Sequence, residues 1–235
     1  MATWKARIGY LSPSVFEYPS DWSRILPPGF TLVTTGLNVR AHTPEEFDRA
    51  IESLESSLSV FVAEEADCIL LGGITVAVQR GYRAEEELVA RLSQRLGLPV
   101  TTSLCANADA LKQVGAKKIV IATAYLERIN QALKRYFEDA GLEVLGIRGL
   151  GVANPVGQVK LPAEASYEVA HGVFGEHPEA DAILVHGRWS SLAHVERLER
   201  ETDRPVVAST AASFWWVLKT LGIKLQLEGC GQLLR

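Results

Sequence analysis

Two matching stretches, Ala66-Asp-Cys-Ile-Leu-Leu-Gly-Gly73 and Ala180-Asp-Ala-Ile-Leu-Val-His-Gly187, decide the fold of this chain. Each begins with an Ala-Asp pair, continues as a short apolar run and ends in a turn-prone dipeptide before a helical pattern. Apolar runs of this kind are typical of parallel strands covered on both faces. Ligands of open α/β sheets bind beyond the carboxyl ends of such strands. The residues that end the two runs are therefore the first candidates for a functional site.

Strand-like and helix-like patterns alternate along the whole chain, which indicates an α/β fold. The two halves also repeat, because Arg7-Ile-Gly-Tyr-Leu-Ser matches Lys118-Ile-Val-Ile-Ala-Thr and Pro99-Val-Thr-Thr-Ser matches Pro205-Val-Val-Ala-Ser. The offset of about 106 to 114 residues suits two α/β lobes and is too long for a solenoid. We expect strands at 6–11, 31–37, 68–71, 100–103, 118–123, 144–147, 183–185 and 206–209, and helices at 44–64, 84–96, 125–140 and 193–201.

The repeat predicts two pseudo-symmetric, flavodoxin-like parallel-sheet lobes with a functional site in the cleft between them. The lobes are expected at residues 1–113 and 114–235, and the C-terminal helix around Phe214 can pack back on the first lobe. The alternative is a single doubly wound sheet in which the similarity of the two halves is accidental.

Composition excludes several classes of partner. The 235 residues carry a net charge of −4, so electrostatics favour neither nucleic acid nor an anionic membrane surface. No apolar run reaches the roughly 18 residues that span a bilayer, and the N-terminus lacks the apolar core of a signal peptide. We therefore expect a cytoplasmic protein, and the sequence leaves a homo-oligomer open.

Patterns for metals and cofactors are missing from the sequence. The three cysteines, Cys68, Cys105 and Cys230, have neither CxxC nor metal-ligand spacing, and their odd number argues against a disulfide framework. No HExxH or HxH pattern occurs, and no Walker or Rossmann glycine pattern follows a strand. We expect free thiols, no metal and no cofactor.

An ordered set of motifs resembles the aspartate/glutamate/hydantoin racemase superfamily. The set runs through Pro13-Ser14, Gly72-Gly73-Ile-Thr75, Ile121-Ala-Thr-Ala-Tyr125 and His186-Gly187 to Pro205-Val-Val-Ala-Ser-Thr. Within the superfamily the chain is similar to the arylmalonate decarboxylase and maleate cis-trans isomerase branch, over nearly its whole length. The resemblance implies a cofactor-free enzyme that acts on a small carboxylic or dicarboxylic acid.

The resemblance also implies cysteines at one or both strand ends, which move protons or attack a double bond. In this sequence the matching positions hold Gly73 and Gly187, and His186 stands directly before the second glycine. A one-residue shift of the second match is open. Thiol chemistry of the family type is therefore not expected here.

The sequence retains residues that suit carboxylate binding. Thr75 offers a hydroxyl, Gly73 and Ile74 offer backbone N–H groups, and the resemblance implies that Tyr125 donates to a substrate carboxylate. Thr75 could instead cap a helix, and Tyr125 could be a half-buried aromatic residue.

Two loops add weaker candidates. The resemblance places Pro13 and Ser14 in a substrate loop and gives Asn154 a carboxylate-binding role, although Ser-Pro and Asn-Pro pairs are also ordinary turns. Arg188 could hold a carboxylate in a bidentate manner or be a solvated surface residue.

His186 is the sharpest catalytic candidate, because an imidazole at the ligand end of a strand suits acid–base work near neutral pH. It could supply the proton that a cysteine would otherwise give, or simply cap the loop at Gly187. We therefore expect a decarboxylase-type lyase that passes through a carboxylate-stabilised enediolate, with His186 and Tyr125 as catalytic residues. The alternatives are a cis-trans isomerase or racemase, a lyase or hydrolase-like enzyme for a larger ring-derived acid, and a carboxylate-binding protein that has lost its chemistry.

Overall fold

The computed structural model describes residues 5–12, 20–37, 44–73, 81–153 and 155–235. Its strands are β1 (Ala6–Ser12), β2 (Phe30–Gly36), β3 (Cys68–Leu71), β4 (Val100–Thr102), β5 (Lys118–Thr123), β6 (Glu143–Gly149), β7 (Ala182–His186) and β8 (Val206–Ala208). Its helices are α1 (Asp21–Ile25), α2 (Pro44–Ala63), α3 (Tyr82–Leu96), α4 (Ser103–Gln113), α5 (Glu127–Asp139), α6 (Pro155–Val159), α7 (Ala163–Glu176), α8 (Val195–Thr202) and α9 (Ser209–Thr220), followed by a 3₁₀ turn at Gln232–Leu234.

The strands form two four-stranded sheets with the same topology. The first has the order β2-β1-β3-β4 and the second the order β6-β5-β7-β8, and every pairing is parallel. This is the flavodoxin-like winding, in which the chain changes direction between the first and third strands of each sheet. The predicted α/β class and the two pseudo-symmetric parallel sheets are confirmed.

The Ala-Asp pairs of the two matching stretches anchor the sheets in the same way. The Asp67 carboxylate accepts a 2.7 Å hydrogen bond from the backbone N–H of Arg7. The Asp181 carboxylate accepts bonds from the backbone N–H groups of Lys117 at 2.9 Å and Lys118 at 2.7 Å, and these bonds hold the pKa of Asp181 below its usual value. Each aspartate thus joins the start of its own strand to the start of the neighbouring strand.

Packing in the core of the first sheet also explains why residue 9 is a glycine. Phe61, at the end of α2, is fully buried, and a Cβ on Gly9 of β1 would lie 2.7 Å from its ring. Position 9 is therefore limited to glycine, because protein interiors are close-packed. The apolar face of α2 closes this side of the sheet in a buried cluster, as its helical periodicity predicts. That cluster is Leu11, Leu54, Leu58, Phe61, Ala66, Ile69, Leu71, Leu92 and Val100.

The chain forms two compact units. The described residues 5–12 and Leu26–Ser103 make the first, and residues 20–25 and Leu104–Arg235 make the second. Helix α9 belongs to the second unit, where it packs on β7 and β8 and where Phe214 contacts Trp22 of α1 edge-to-face. The sequence-based boundary between residues 113 and 114 is set from the repeat of the two halves and not from contacts between residues. It stays a prediction.

All eight predicted strands are confirmed, with ends that differ by at most a few residues. The helix predicted at 125–140 begins later, at Glu127, because Tyr125 lies in a turn that follows β5. None of the helices in the described parts of the chain has the length and apolarity needed to cross a bilayer.

Candidate active site

His186 is the last residue of β7, in the second compact unit. It pairs in register with Thr123, the last residue of β5, so both lie at the carboxyl ends of the two strands where the chain changes direction. The structure therefore places this predicted site residue where ligands bind in sheets of this topology. Only 3% of the residue is exposed.

Among the described residues, the ring of His186 has one polar contact. The Asn107 side-chain amide, on α4, lies with its Nδ2 atom 2.8 Å from His186 Nδ1. The other ring nitrogen, Nε2, is buried and has no hydrogen-bond partner among the described residues. A buried polar atom without a partner is costly, and it marks a place where a ligand group can complete the bonding.

Burial lowers the pKa of the His186 imidazole from 6.5 to about 4. The sequence predicts an imidazole that titrates near neutral pH, so the structure differs from that expectation. The physical reason is desolvation, which disfavours the charged ring, and no charged group in the described part of the chain offsets it. At neutral pH the ring is therefore neutral and carries a single proton.

Tyr125 lies beside His186, with ring centroids 5.9 Å apart. Its backbone N–H donates to the hydroxyl of Thr123 at 3.1 Å, and that hydroxyl donates to the Asn130 side chain at 2.7 Å. A Cβ on Gly149, at the end of β6, would lie within 2.8 Å of atoms of all three residues. Glycine at 149 thus leaves room for the network that fixes the turn holding Tyr125.

The loop after β7 has a special backbone. Gly187 has a φ of 147°, which L side chains rarely adopt, and an added Cβ would lie 3.2 Å from the buried Trp189 ring. A cysteine here would be strained by about 1–3 kcal/mol. The next residue, Arg188, is half-buried, and its backbone N–H faces the Gln158 side-chain oxygen at 3.4 Å.

A buried carboxylate holds the far end of the same loop. One oxygen of Asp21, on α1, accepts bonds from the backbone N–H of Ser191 at 2.8 Å, the Ser191 hydroxyl at 2.8 Å and the backbone N–H of Leu192 at 3.2 Å. Burial raises the pKa of Asp21, and the hydrogen bonds from Ser191 and Leu192 oppose that rise. Helix α1 thereby fixes the chain five residues beyond His186.

Replacing Asp21 by alanine is expected to destabilise the protein by about 2–4 kcal/mol, because three buried donors lose their acceptor. Asp21→Asn keeps a carbonyl oxygen for those donors, so it should cost less than half as much. Urea denaturation at pH 7 measures both values, with Asp139→Ala at an exposed position as control. If Asp21→Ala lost less than about 0.5 kcal/mol, which is the usual range for surface substitutions, the Asp21 hydrogen bonds would not stabilise the loop.

In the first unit, strand β3 is followed by the glycine pair Gly72-Gly73. Gly73 follows β3 with a φ of 83°, and a Cβ on Gly72 would lie 2.4 Å from the Tyr10 hydroxyl, so both positions favour glycine. The other predicted binding residues, which are Pro13, Ser14, Ile74, Thr75 and Asn154, lie outside the described residues. Their roles, like those of Gly73, Gly187 and Arg188, stay predictions.

None of the three cysteines, Cys68, Cys105 and Cys230, lies at the end of β3 or of β7. Cys68 begins β3, where burial and the nearby Asp67 charge raise its pKa to about 12, and burial raises the pKa of Cys230 to about 11. Cys105 Sγ lies 3.5 Å from the Tyr136 hydroxyl in the interior. High pKa values disfavour the thiolate, so neither Cys68 nor Cys230 suits nucleophilic chemistry. The described residues also contain no cluster of three or more acidic, histidine or cysteine side chains arranged to hold a metal.

Sequence reasoning missed Asn107, Asp21 and Gln158, all three of which are buried. A signal for Asn107 is present in the sequence, because this amide side chain interrupts the apolar residues Leu104-Cys-Ala and Ala108 of a helix that is buried on nearly every side. A buried amide needs a partner, and that need points to a polar network. Asp21 contacts a residue 170 positions away, and no local pattern predicts that contact.

The whole chain is similar to known proteins. A family model described as arylmalonate decarboxylase matches residues 8–234. The arylmalonate decarboxylase of Bordetella bronchiseptica is 26% identical over 211 residues, which are 89% of this chain and 88% of that protein. The maleate isomerase of Nocardia farcinica is 26% identical over 245 residues, covering 97% and 95%. A solved structure of an arylmalonate decarboxylase double mutant in the liganded form matches with a TM-score of 0.90 and 25% identity, over 98% of this chain and 99% of its own.

Proposed function

The chain belongs to the arylmalonate decarboxylase family, and on that premise we propose that it is a cofactor-independent lyase that removes carbon dioxide from a small arylmalonate-type diacid. Family membership confirms the resemblance expected from the sequence. The relatives compared above are enzymes, named as a decarboxylase and an isomerase, which supports a lyase or isomerase.

The proposed reaction needs one carbon–carbon bond cleavage and one proton. The bond between the α-carbon and one carboxylate breaks, carbon dioxide leaves, and the electron pair stays on the α-carbon as an enediolate shared with the remaining carboxylate. Hydrogen-bond donors that hold this carboxylate stabilise the charge as it develops. Tyr125, Thr75 and the backbone N–H groups after Gly73 are the proposed donors. The α-carbon then takes a proton, and the product is a monocarboxylate.

The observation that carries the proposal is His186, a buried imidazole at the end of β7 beside Tyr125, whose Nε2 finds no hydrogen-bond partner in the described part of the chain. A neutral ring can transfer its Nε2 proton to the strongly basic α-carbon, and the Asn107 amide facing Nδ1 stabilises the negative charge left on the ring. Water returns a proton to Nε2 before the next turnover, and the hydroxide that remains combines with the released carbon dioxide as bicarbonate.

A decarboxylase is favoured over an isomerase by the residues around this strand end. Decarboxylation requires a single proton donor, and His186 is that donor. The resemblance gives the isomerases a cysteine nucleophile, whereas this sequence has histidine and glycine at positions 186 and 187. The raised pKa values of Cys68 and Cys230 further disfavour a thiolate pathway.

Two expectations about the cell biology remain part of the proposal. The protein is proposed to be cytoplasmic. Its only class of partner is proposed to be a small-molecule carboxylate, with or without a homo-oligomer. Both expectations agree with the near-neutral charge balance of the sequence.

Incubating the purified chain with phenylmalonate and with maleate, in separate D₂O buffers that contain a chelator, tests the function. We expect carbon dioxide and phenylacetate with one deuterium on its α-carbon, and unchanged maleate. Conversion of maleate to fumarate would instead support the isomerase alternative. Binding of either diacid without any turnover would support the carboxylate-binding protein.

A further inference from the structure

We propose that Asn107 is a positioning residue that holds the His186 ring in the tautomer with its proton on Nε2. This inference rests on the proposed function, because it defines which atom of the ring faces the reaction. It concerns a helix residue that is distant in sequence from every motif of the predicted site.

The geometry leaves Asn107 little freedom. The residue has no exposed surface, and it lies on α4 among the buried residues Leu104, Ala106 and Ala108. Both β7 and α4 are regular elements, so each presents its side chain from a fixed backbone. The Nδ2-to-Nδ1 distance of 2.8 Å is short for an N–H to nitrogen bond and indicates a well-formed contact.

The chemistry of the two groups decides the position of the proton. An amide nitrogen only donates, so His186 Nδ1 accepts the bond and carries no proton itself. The ring is neutral at pH 7 because burial lowers its pKa to about 4. A neutral imidazole has one N–H group, which therefore stands on Nε2, the atom that has no partner among the described residues.

An amide suits this role better than a carboxylate would. A carboxylate at position 107 would draw the proton to Nδ1, raise the pKa of the ring and leave Nε2 bare in the neutral form. Asparagine imposes the opposite tautomer without adding a charge to a buried site. If the Asn107 amide were rotated so that Oδ1 faced Nδ1, the ring proton would instead lie on Nδ1, as it would with a carboxylate. The experiment below distinguishes the two orientations of the amide.

The test compares the intact wild-type protein with Asn107→Asp and Asn107→Leu, without substrate, by two-dimensional ¹H–¹⁵N NMR of the histidine rings at pH 7. Protonated and bare ring nitrogens have distinct ¹⁵N shifts, so the spectra report the tautomer of His186 directly. The signals are assigned with His186→Gln. We expect Nε2–H in the wild type, Nδ1–H in Asn107→Asp, and a mixture of both in Asn107→Leu, which removes the polar contact and keeps the volume.

Turnover of phenylmalonate by the same variants supplies the second readout. Asn107→Asp should lower kcat by about 10²-fold, the lower end of what a positioned proton donor contributes. Nδ1–H in the wild type, or Nε2–H retained in Asn107→Asp, would overturn the inference. Because the NMR result needs no substrate, an Nε2–H tautomer in a protein that decarboxylates nothing would refute the proposed function and leave the inference standing.

Discussion

Replacing His186 by alanine is expected to lower kcat for phenylmalonate by about 10²–10⁴-fold, the usual contribution of a positioned acid or base. The variant removes the Nε2 proton donor and leaves Tyr125 and its turn network in place. KM should change little, because the carboxylate-holding groups remain. Initial rates of carbon dioxide release measure both constants.

His171→Ala is the matched control, because His171 is exposed on α7, where it stacks on Tyr167. It should retain full activity. A far-UV spectrum and a urea midpoint establish that His186→Ala is folded. If folded His186→Ala turns over the diacid as fast as the wild type, His186 is not the proton donor.

Lowering the pH is expected to reduce the free energy of unfolding, because His186 binds a proton more readily in the unfolded chain. The pKa of His186 is about 4 in the folded state and about 6.5 in the unfolded state, so between these values the unfolded chain binds more protons. The stability that the neutral ring contributes is present above pH 6.5 and is lost as the pH falls toward 4. The loss from pH 7.5 to 4.5 is about 2–3 kcal/mol.

Urea denaturation of the wild type and of His186→Gln at these two pH values measures this loss. Other groups titrate in the same range, so the quantity of interest is the difference between the two proteins. We expect the wild type to lose about 2–3 kcal/mol more than His186→Gln, whereas His171→Gln should follow the wild type. Equal losses in the wild type and in His186→Gln would show that the His186 ring is not buried in its neutral form.

Much of the fold is predictable from the sequence because its determinants are local. Most strands of this chain contain a short apolar run, and β2, β3, β4, β7 and β8 directly follow a glycine, an aspartate or a proline. The position of His186 followed from the same logic, since it ends one of these runs. The Ala-Asp pairs also marked equivalent places in the two sheets, where Asp67 and Asp181 hold the neighbouring strands.

The helix α7 shows where local patterns were insufficient. Its sequence contains Gly172 and Gly175, and each interior glycine costs a helix about 1 kcal/mol relative to alanine. The helix nevertheless forms, because Val169, Ala170 and Val173 are buried where it packs on β5 and β6. Gly172 also leaves room for the Arg148 side chain, which pairs with Glu176 across the helix.

The site was only partly predictable, for a related reason. The sequence pointed to His186 and Tyr125, but the atoms that set their chemistry come from distant segments. Asn107 is 79 positions from His186, and Asp21 is 170 positions from Ser191. The burial that lowers the pKa of His186 is likewise a property of the packed unit. Tertiary packing therefore changed the expected role of His186, from an imidazole titrating near neutral pH to a neutral donor.

The pH dependence of kcat for phenylmalonate between pH 6 and 9 tests most directly the claim that neutral His186 supplies the proton from Nε2. With a pKa of about 4, the ring is neutral across this whole range. We therefore predict a kcat that stays constant within about twofold, since the reactive form of a group far from its pKa does not change in amount. If the imidazolium were the acid, kcat would fall about tenfold for each pH unit across the range. Such a fall would contradict the account.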